Sequence, residues 1–223
     1  MNREHVVKNE RGQESSSVLR LAQMGMLAAV SVVLILYVRI PLIPAAPFLV
    51  YDMADVPVLL GAYLLGPLAG LMILTVASAI QAFMLGGDGI IGFVMHMTAS
   101  TTFVLVASAI YHGSAKRTLG LILGLVAGTI SMTVVMVPMN FIFIPTLFFE
   151  VPLKQSAAML VENFFGLQTG VAFGEMAAIA FNAVKDLLLP GIIPFNLAKA
   201  GINSVLFFLL FKGLRLALKE KML

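Results

Sequence analysis

The sequence predicts an all-α integral membrane protein of six transmembrane helices, with an additional helical segment in the long loop between the fifth and the sixth. Three observations carry this. Hydrophobic residues make up 60% of the 223 and charged residues only 11%, where a soluble domain carries about a quarter. Mean hydropathy is +1.02. Apolar runs of about 20 residues, the length a spanning helix needs, recur between breaks rich in glycine and proline.

Residues 1–17 are polar and read as a disordered cytoplasmic tail. Residues 18–215 form a single six-helix membrane domain, and 216–223 a second cytoplasmic tail. The first span covers 18–40, longer than the hydrophobic region of a signal peptide, so no cleaved leader is expected. A proline-rich loop follows over 41–54, then a short second helix over 55–65. Gly66-Pro67 breaks the chain, and Pro67 suits the first turn of the third helix, which runs to Leu85. Gly86-Gly87-Asp88-Gly89 is a turn. The fourth span covers 90–111, and the basic turn 112–118 leads to the fifth, 119–145. The segment 146–189 mixes polar and apolar residues and holds Glu150, Glu162, Glu175 and Asp186. Structureless loops of that length are uncommon, so one or two helices lying on or dipping into the outer face are expected there. The sixth span starts at Pro194 and ends near Phe211.

Lysine and arginine set the orientation, because positive charge stays on the cytoplasmic side. With six crossings, both termini and the turn 112–118 share one side. That side holds Arg3, Lys8, Arg11, Arg20, Lys116, Arg117, Lys212, Arg215, Lys219 and Lys221, ten of the fourteen basic residues. The other side holds Asp52, Asp55, Asp88 and the acidic residues of 146–189. The expected protein is therefore multi-pass, with both termini cytoplasmic and the two long loops outside.

Several chemistries find no support. The chain has no cysteine, hence no disulfide framework, thiolate metal site or cysteine nucleophile. Its basic residues form no stripe interleaved with aromatics, so no nucleic-acid partner is expected. It carries no GxxxxGK[ST] phosphate loop, no HExxH and no nucleophile elbow. Three scattered histidines give no metal site, and no inverted repeat suggests the common secondary-transporter folds.

Two polar motifs interrupt the apolar background. The stretch Pro47-Phe48-Leu49-Val50-Tyr51-Asp52-Met53-Ala54-Asp55-Val56-Pro57 places two carboxylates between spans. Either carboxylate can cap a helix, with Asp55 a good N-cap ahead of Val56-Pro57, or pair with a basic group as the loop closes over something polar. Gly191-Ile192-Ile193-Pro194-Phe195-Asn196-Leu197-Ala198-Lys199 starts a helix with an amide and an amine three apart, on one face, near the amino end. An ionisable group within a span faces the bundle interior or a cavity; the alternative is that Lys199 snorkels outward to headgroups. Asn140 follows Pro138 near the outer end of the fifth span, where it either contacts a ligand or satisfies a freed carbonyl. Gln81 and His96 are further polar residues in spans, and a lone histidine is more often a hydrogen-bonded core residue. Small residues mark close contacts: Ala22, Gly25 and Ala29 on one face of the first helix, and Gly120, Gly124 and Gly128 along the fifth.

These motifs, with Gly61 and Gly66-Pro67-Leu68-Ala69-Gly70, resemble the riboflavin-binding S component of energy-coupling factor (ECF) vitamin transporters, over about residues 18–215. The resemblance implies a non-enzymatic substrate-binding subunit that captures riboflavin from outside, under the loop joining helices 1 and 2. It would hand the vitamin inward by toppling in the membrane, with energy from two cytoplasmic ATPases working through a shared transmembrane scaffold subunit. No cofactor or metal is implied. The small-residue face Ala22, Gly25 and Ala29 resembles the face by which such subunits dock on the scaffold. Asn196, Lys199 and Asn140 map onto the family's flavin-ring ligands. Phe48, Leu49 and Met97 would wall an apolar slot, with Asp52 and His96 also at the binding site. Three features depart from the family pattern: Ala77, Ser78 and Gln81 stand where lysine and asparagines are common, His96 stands where an asparagine is expected, and the segment after Pro145 is longer. They fall where the ribityl chain should lie, which keeps FMN, a flavin analogue or another small vitamin as alternative ligands. An intramembrane metal-dependent enzyme built on Asp52 and Asp55 is the remaining alternative, though such chemistry needs three or more clustered acids.

Overall fold

A chain with long apolar runs must satisfy its backbone N–H and C=O groups internally, and the helix does so within one segment. The computed structural model is accordingly helical almost throughout; it describes residues 3–44, 46–85, 89–115 and 118–220, with side chains from Ser17 to Ala217. Helix α1 spans Arg3–Tyr37, α2 Asp55–Leu64, α3 Pro67–Met84, α4 Gly89–Gly113, α5 Thr118–Phe148, α6 Leu153–Phe165, α7 Glu175–Leu187 and α8 Ile193–Glu220. Among the described residues, five segments are long and apolar enough to cross a membrane: Ser17–Tyr37, Pro67–Met84, Gly89–Gly113, Thr118–Phe148 and Glu175–Ala217. The chain is a multi-pass helical membrane protein.

Several boundaries differ from the expected ones. Helix α1 starts at Arg3 rather than at residue 18; residues 1–2 and 221–223 of the expected tails lie outside the described residues, as do 86–88 and 116–117 of the two expected turns. The loop 41–54 contains a two-stranded antiparallel hairpin, β1 (Ile40–Pro41) and β2 (Val50–Tyr51), with Ile40 opposite Tyr51 and Pro41 opposite Val50. Helix α5 continues past 145 to Phe148 with Pro138 and Pro145 inside it. The segment 146–189 holds α6 and α7. A π turn over Leu188–Ile192 then joins α7 to α8 without a loop. Pro190 lies in that turn, and lacking an N–H it cannot continue the α ladder.

Helix α2 is short and apolar nearly all round. Eight of its ten residues are buried, as expected of a helix with no solvent or lipid face. At about 1.5 Å per residue it covers roughly half a bilayer core. Asp52, at the end of the preceding loop, and Asp55, the first residue of α2, are both buried in the bundle. At its other end α2 meets α1 and α4: Arg20 Nη2 donates to the Leu65 carbonyl at 2.5 Å, and His112 Nε2 lies 3.3 Å from the Ala62 carbonyl. Glycines permit the tight packing here. A Cβ on Gly70 would stand 2.6 Å from Ala62 Cβ, one on Gly124 2.5 Å from the Ala107 carbonyl oxygen, and one on Gly128 2.8 Å from that of Phe103.

The apolar interior has two main parts. The first joins α2, α3, α4, α5 and α8 around Leu59, Leu74, Phe103, Met132 and Phe207. The second packs the carboxy-terminal part of α5 against α6, α7 and the π turn through Phe141, Ile144, Met159, Phe181 and Ile192. In the α6–α7 connection, the Thr169 hydroxyl and amide both donate to Glu162 Oε1, at 2.6 and 2.9 Å. They hold that exposed carboxyl below the usual carboxylate range.

Candidate functional site

Where the two cores meet, the bundle leaves a cavity of about 420 Å3, within the range of small-molecule sites. The loop contributes Arg39, Phe48, Leu49, Val50 and Asp52; α3 contributes Ser78, Gln81 and Ala82; α4 contributes Gly92, Met95, His96 and Ala99. Met132, Met136, Asn140, Ile144, Leu147 and Phe148 come from α5, and Phe195, Asn196 and Lys199 from α8. The flat apolar surfaces are therefore Met and Phe side chains, and a few amides and charges interrupt them. Phe48 and Phe148 pack across the loop–α5 junction with ring centroids 4.9 Å apart.

Lys199 does not reach for headgroups. Its ammonium donates to Asp52 Oδ2 at 2.8 Å, and both side chains are nearly sealed, 9% and 7% exposed. Asp52 Oδ1 accepts from the Ala54 amide at 3.0 Å, a turn that leads into α2. Asp55 is not the N-cap its position suggests: it is the first helical residue, and Ala54 holds the cap position with no side-chain cap. The reason lies one turn along α8. Asn203 Nδ2 donates to Asp55 Oδ2 at 3.2 Å and to the Asp52 carbonyl at 3.3 Å, while its Oδ1 accepts from Tyr51 Oη at 2.9 Å. Lys199 and Asn203 together thus tie the loop end 51–55 to α8, and Ser31 Oγ ties it to α1 through the Ala54 carbonyl at 3.1 Å.

The two asparagines share an arrangement. Asn140 Nδ2 donates to the Met136 carbonyl at 2.6 Å, and Asn196 Nδ2 to the Ile192 carbonyl at 2.8 Å. In each case the amide is turned back on its own helix, and Asn140 Oδ1 is buried without a protein partner. His96 Nδ1 lies 3.0 Å from Ser78 Oγ.

The cavity brings together Asn196, Lys199, Asn140, Phe48, Leu49, Asp52 and His96. It does not include Met97, which points into the first core; its neighbours Met95 and His96 take the lining positions on α4. Ala22, Gly25 and Ala29 lie away from the cavity on an exposed face of α1, and a Cβ on Gly25 would meet nothing within 4 Å. Sequence reasoning passed over Asn203 and Arg39. Asn203 continues the 196, 199 face of α8, and Arg39 is a lone basic residue at the acidic end of its span.

A multi-pass helical membrane protein with a small-molecule-sized polar cavity, lined in part by a loop, is what this fold and site define. Residues 19–211 match the family model described as ECF transporter, substrate-specific component. The riboflavin transporter RibU of Staphylococcus aureus (strain TCH60) is 32% identical over 201 residues, covering 90% of this chain and 93% of that protein. The riboflavin transporter FmnP of Bacillus subtilis (strain 168) is 28% identical over 202 residues, covering 89% and 93%. A solved structure, described as the structure and mechanism of the S component of a bacterial ECF transporter, shares the fold with a TM-score of 0.65 at 29% identity, covering 91% of this chain and 99% of that one. The chain belongs to the substrate-specific components of ECF transporters. It is a transporter subunit and not an enzyme.

Proposed function

We propose that this chain captures riboflavin at the outer face of the membrane and delivers it inward as part of an ECF transporter. The observation that carries the reading is the cavity's composition: apolar Met and Phe walls with the Asn140 and Asn196 amides and the Lys199 amine on one ligand-sized space. An isoalloxazine is a flat apolar ring with one uracil-like polar edge, and it needs that combination. The names of the two riboflavin transporters to which the chain is similar support the same vitamin.

The proposed topology has six crossings, α2 being the short one, with both termini cytoplasmic. Its support is that Arg20, the end of α2 and His112 share one end of the bundle, while the cavity lies toward the other. On this reading the loop 38–54 covers the ligand from outside. The exposed small-residue face Ala22, Gly25, Ala29 docks on a transmembrane scaffold that couples to two cytoplasmic ATPases.

The test is the visible absorbance of the protein purified in mild detergent, before and after adding riboflavin, beside an Asn196→Ala, Lys199→Ala variant. The expected result is yellow protein carrying flavin, and a variant that retains none. Wild-type protein that stays colourless after riboflavin is added would overturn the assignment.

A further inference from the structure

Helices α5 and α8 run antiparallel, and they meet twice. One end of the pair lines the ligand cavity; the other leaves a separate groove of about 420 Å3, lined by different residues. Its rims are Ile122, Val126 and Ile130 of α5 and Val205 of α8, all exposed, and in a membrane protein that exposure is to hydrocarbon. The floor is already satisfied: Ser204 Oγ lies 3.2 Å from Thr129 Oγ1, which itself donates to the Leu125 carbonyl at 2.9 Å. An occupant therefore needs no polar group at this depth. Gly201 opens the groove. A Cβ there would meet nothing within 4 Å, so no packing contact within this chain accounts for a glycine that costs the helix about 1 kcal/mol relative to alanine.

The groove ends in positive charge. Gly201, Ser204, Val205 and Phe208 form one stripe of α8, and Lys212 and Arg215 continue it four and seven residues after Phe208. The Lys212 ammonium leans back over the Phe208 ring, 5.9 Å from its centroid. Both basic residues are exposed, and among the described residues neither pairs with a carboxylate. Phe211, beside them, packs edge-on to Tyr111 at 5.7 Å, at the His112 end of the bundle. A second protein helix fits this surface poorly, because close helix approach needs small residues on the shared face and these rims are branched and bulky. A slender hydrocarbon chain with an anionic head fits both parts: apolar along the groove, negative where it ends at Lys212 and Arg215.

We propose that the α5–α8 groove binds an anionic phospholipid, with one acyl chain along Gly201, Val205 and Phe208 and its phosphate on Lys212 and Arg215. In the topology proposed above this is a lipid of the cytoplasmic leaflet. The site is independent of the vitamin carried, since it shares no residue with the ligand cavity.

The chain contains no tryptophan, so Phe208→Trp supplies a single reporter in the groove. The full-length reporter protein is reconstituted in phosphatidylcholine bilayers containing a minor fraction of phosphatidylglycerol or phosphatidylcholine with brominated acyl chains, which quench tryptophan fluorescence on contact. Brominated phosphatidylglycerol should occupy the groove about tenfold or more in preference to brominated phosphatidylcholine, and Lys212→Gln should lower that preference by about fivefold. Adding Arg215→Gln should abolish it. Gly201→Leu, which fills the groove and leaves every charge in place, should lower it as well. A Leu123→Trp reporter, exposed on α5 outside the groove, should show little preference. Equal quenching by the two lipids at Phe208→Trp, an equal preference at Leu123→Trp, or a preference that survives Gly201→Leu would each overturn the site.

Discussion

Lys199 and Asp52 make one buried unit from two distant parts of the chain. Their 2.8 Å contact is nearly sealed from solvent, so removing either partner strands the other's charge in a low-dielectric interior. Such a break costs about 3–5 kcal/mol, whereas replacing both partners is far milder. In ligand-free protein, Lys199→Met and Asp52→Asn should each lower the thermal unfolding temperature markedly. The double variant should recover much of that loss, a coupling of about 0.5–3 kcal/mol. Additive losses in detergent melts would mean that the pair is not one unit. The sequence reveals half of this arrangement. Asn196 and Lys199 share a face by their spacing, but their partner lies 147 residues away, and no local pattern says which of Asp52 and Asp55 Lys199 will choose. In the folded protein the amine takes Asp52 Oδ2, and Asp55 Oδ2 accepts from Asn203 instead.

Helices show which small residues serve the fold and which are left over. Gly124 packs on the α4 backbone, where a Cβ would stand 2.5 Å from the Ala107 carbonyl; Gly25, on α1, faces open space. The same substitution should therefore have opposite consequences. Gly124→Leu forces α4 and α5 apart and should cost at least about 1–3 kcal/mol of overpacking strain, read as a lowered unfolding temperature and lost ligand binding. Gly25→Leu should leave both unchanged. It should instead abolish co-purification with the scaffold and ATPase subunits, because close approach between membrane helices needs small residues on the shared face. A Gly25→Leu protein that still co-purifies would remove α1 from the docking surface. From sequence alone the two stripes look alike, since periodicity marks a close contact without naming the partner. The long spans are legible because lipid demands sustained apolarity. The hairpin at Ile40–Pro41 and Val50–Tyr51 and the π turn at Leu188–Ile192 are not, because strands of two residues and a turn of five are too short to leave a hydrophobic period.

At the scale of the whole molecule, α7, the π turn and α8 form one continuous 43-residue apolar segment, Glu175–Ala217. That length exceeds what one crossing needs, at about 20 residues. The question is whether α7 crosses the membrane or stays at the outer face. Charge argues for the second. Helix α7 carries Glu175, Lys185 and Asp186 within 13 residues, and its buried face packs with α6 in the second core. A seventh crossing would also carry the basic carboxy terminus to the outer side, against the distribution of lysine and arginine. The absence of cysteine makes a direct test possible without first engineering a background. Gln168 lies in the exposed α6–α7 connection and Ala217 near the end of α8, both exposed. In intact cells, a membrane-impermeant thiol reagent should label Gln168→Cys at once and Ala217→Cys only after the membrane is permeabilised. Labelling of both from outside would mean that α7 crosses, placing the end of α8 outside and undoing the six-crossing topology on which outward-facing ligand capture depends.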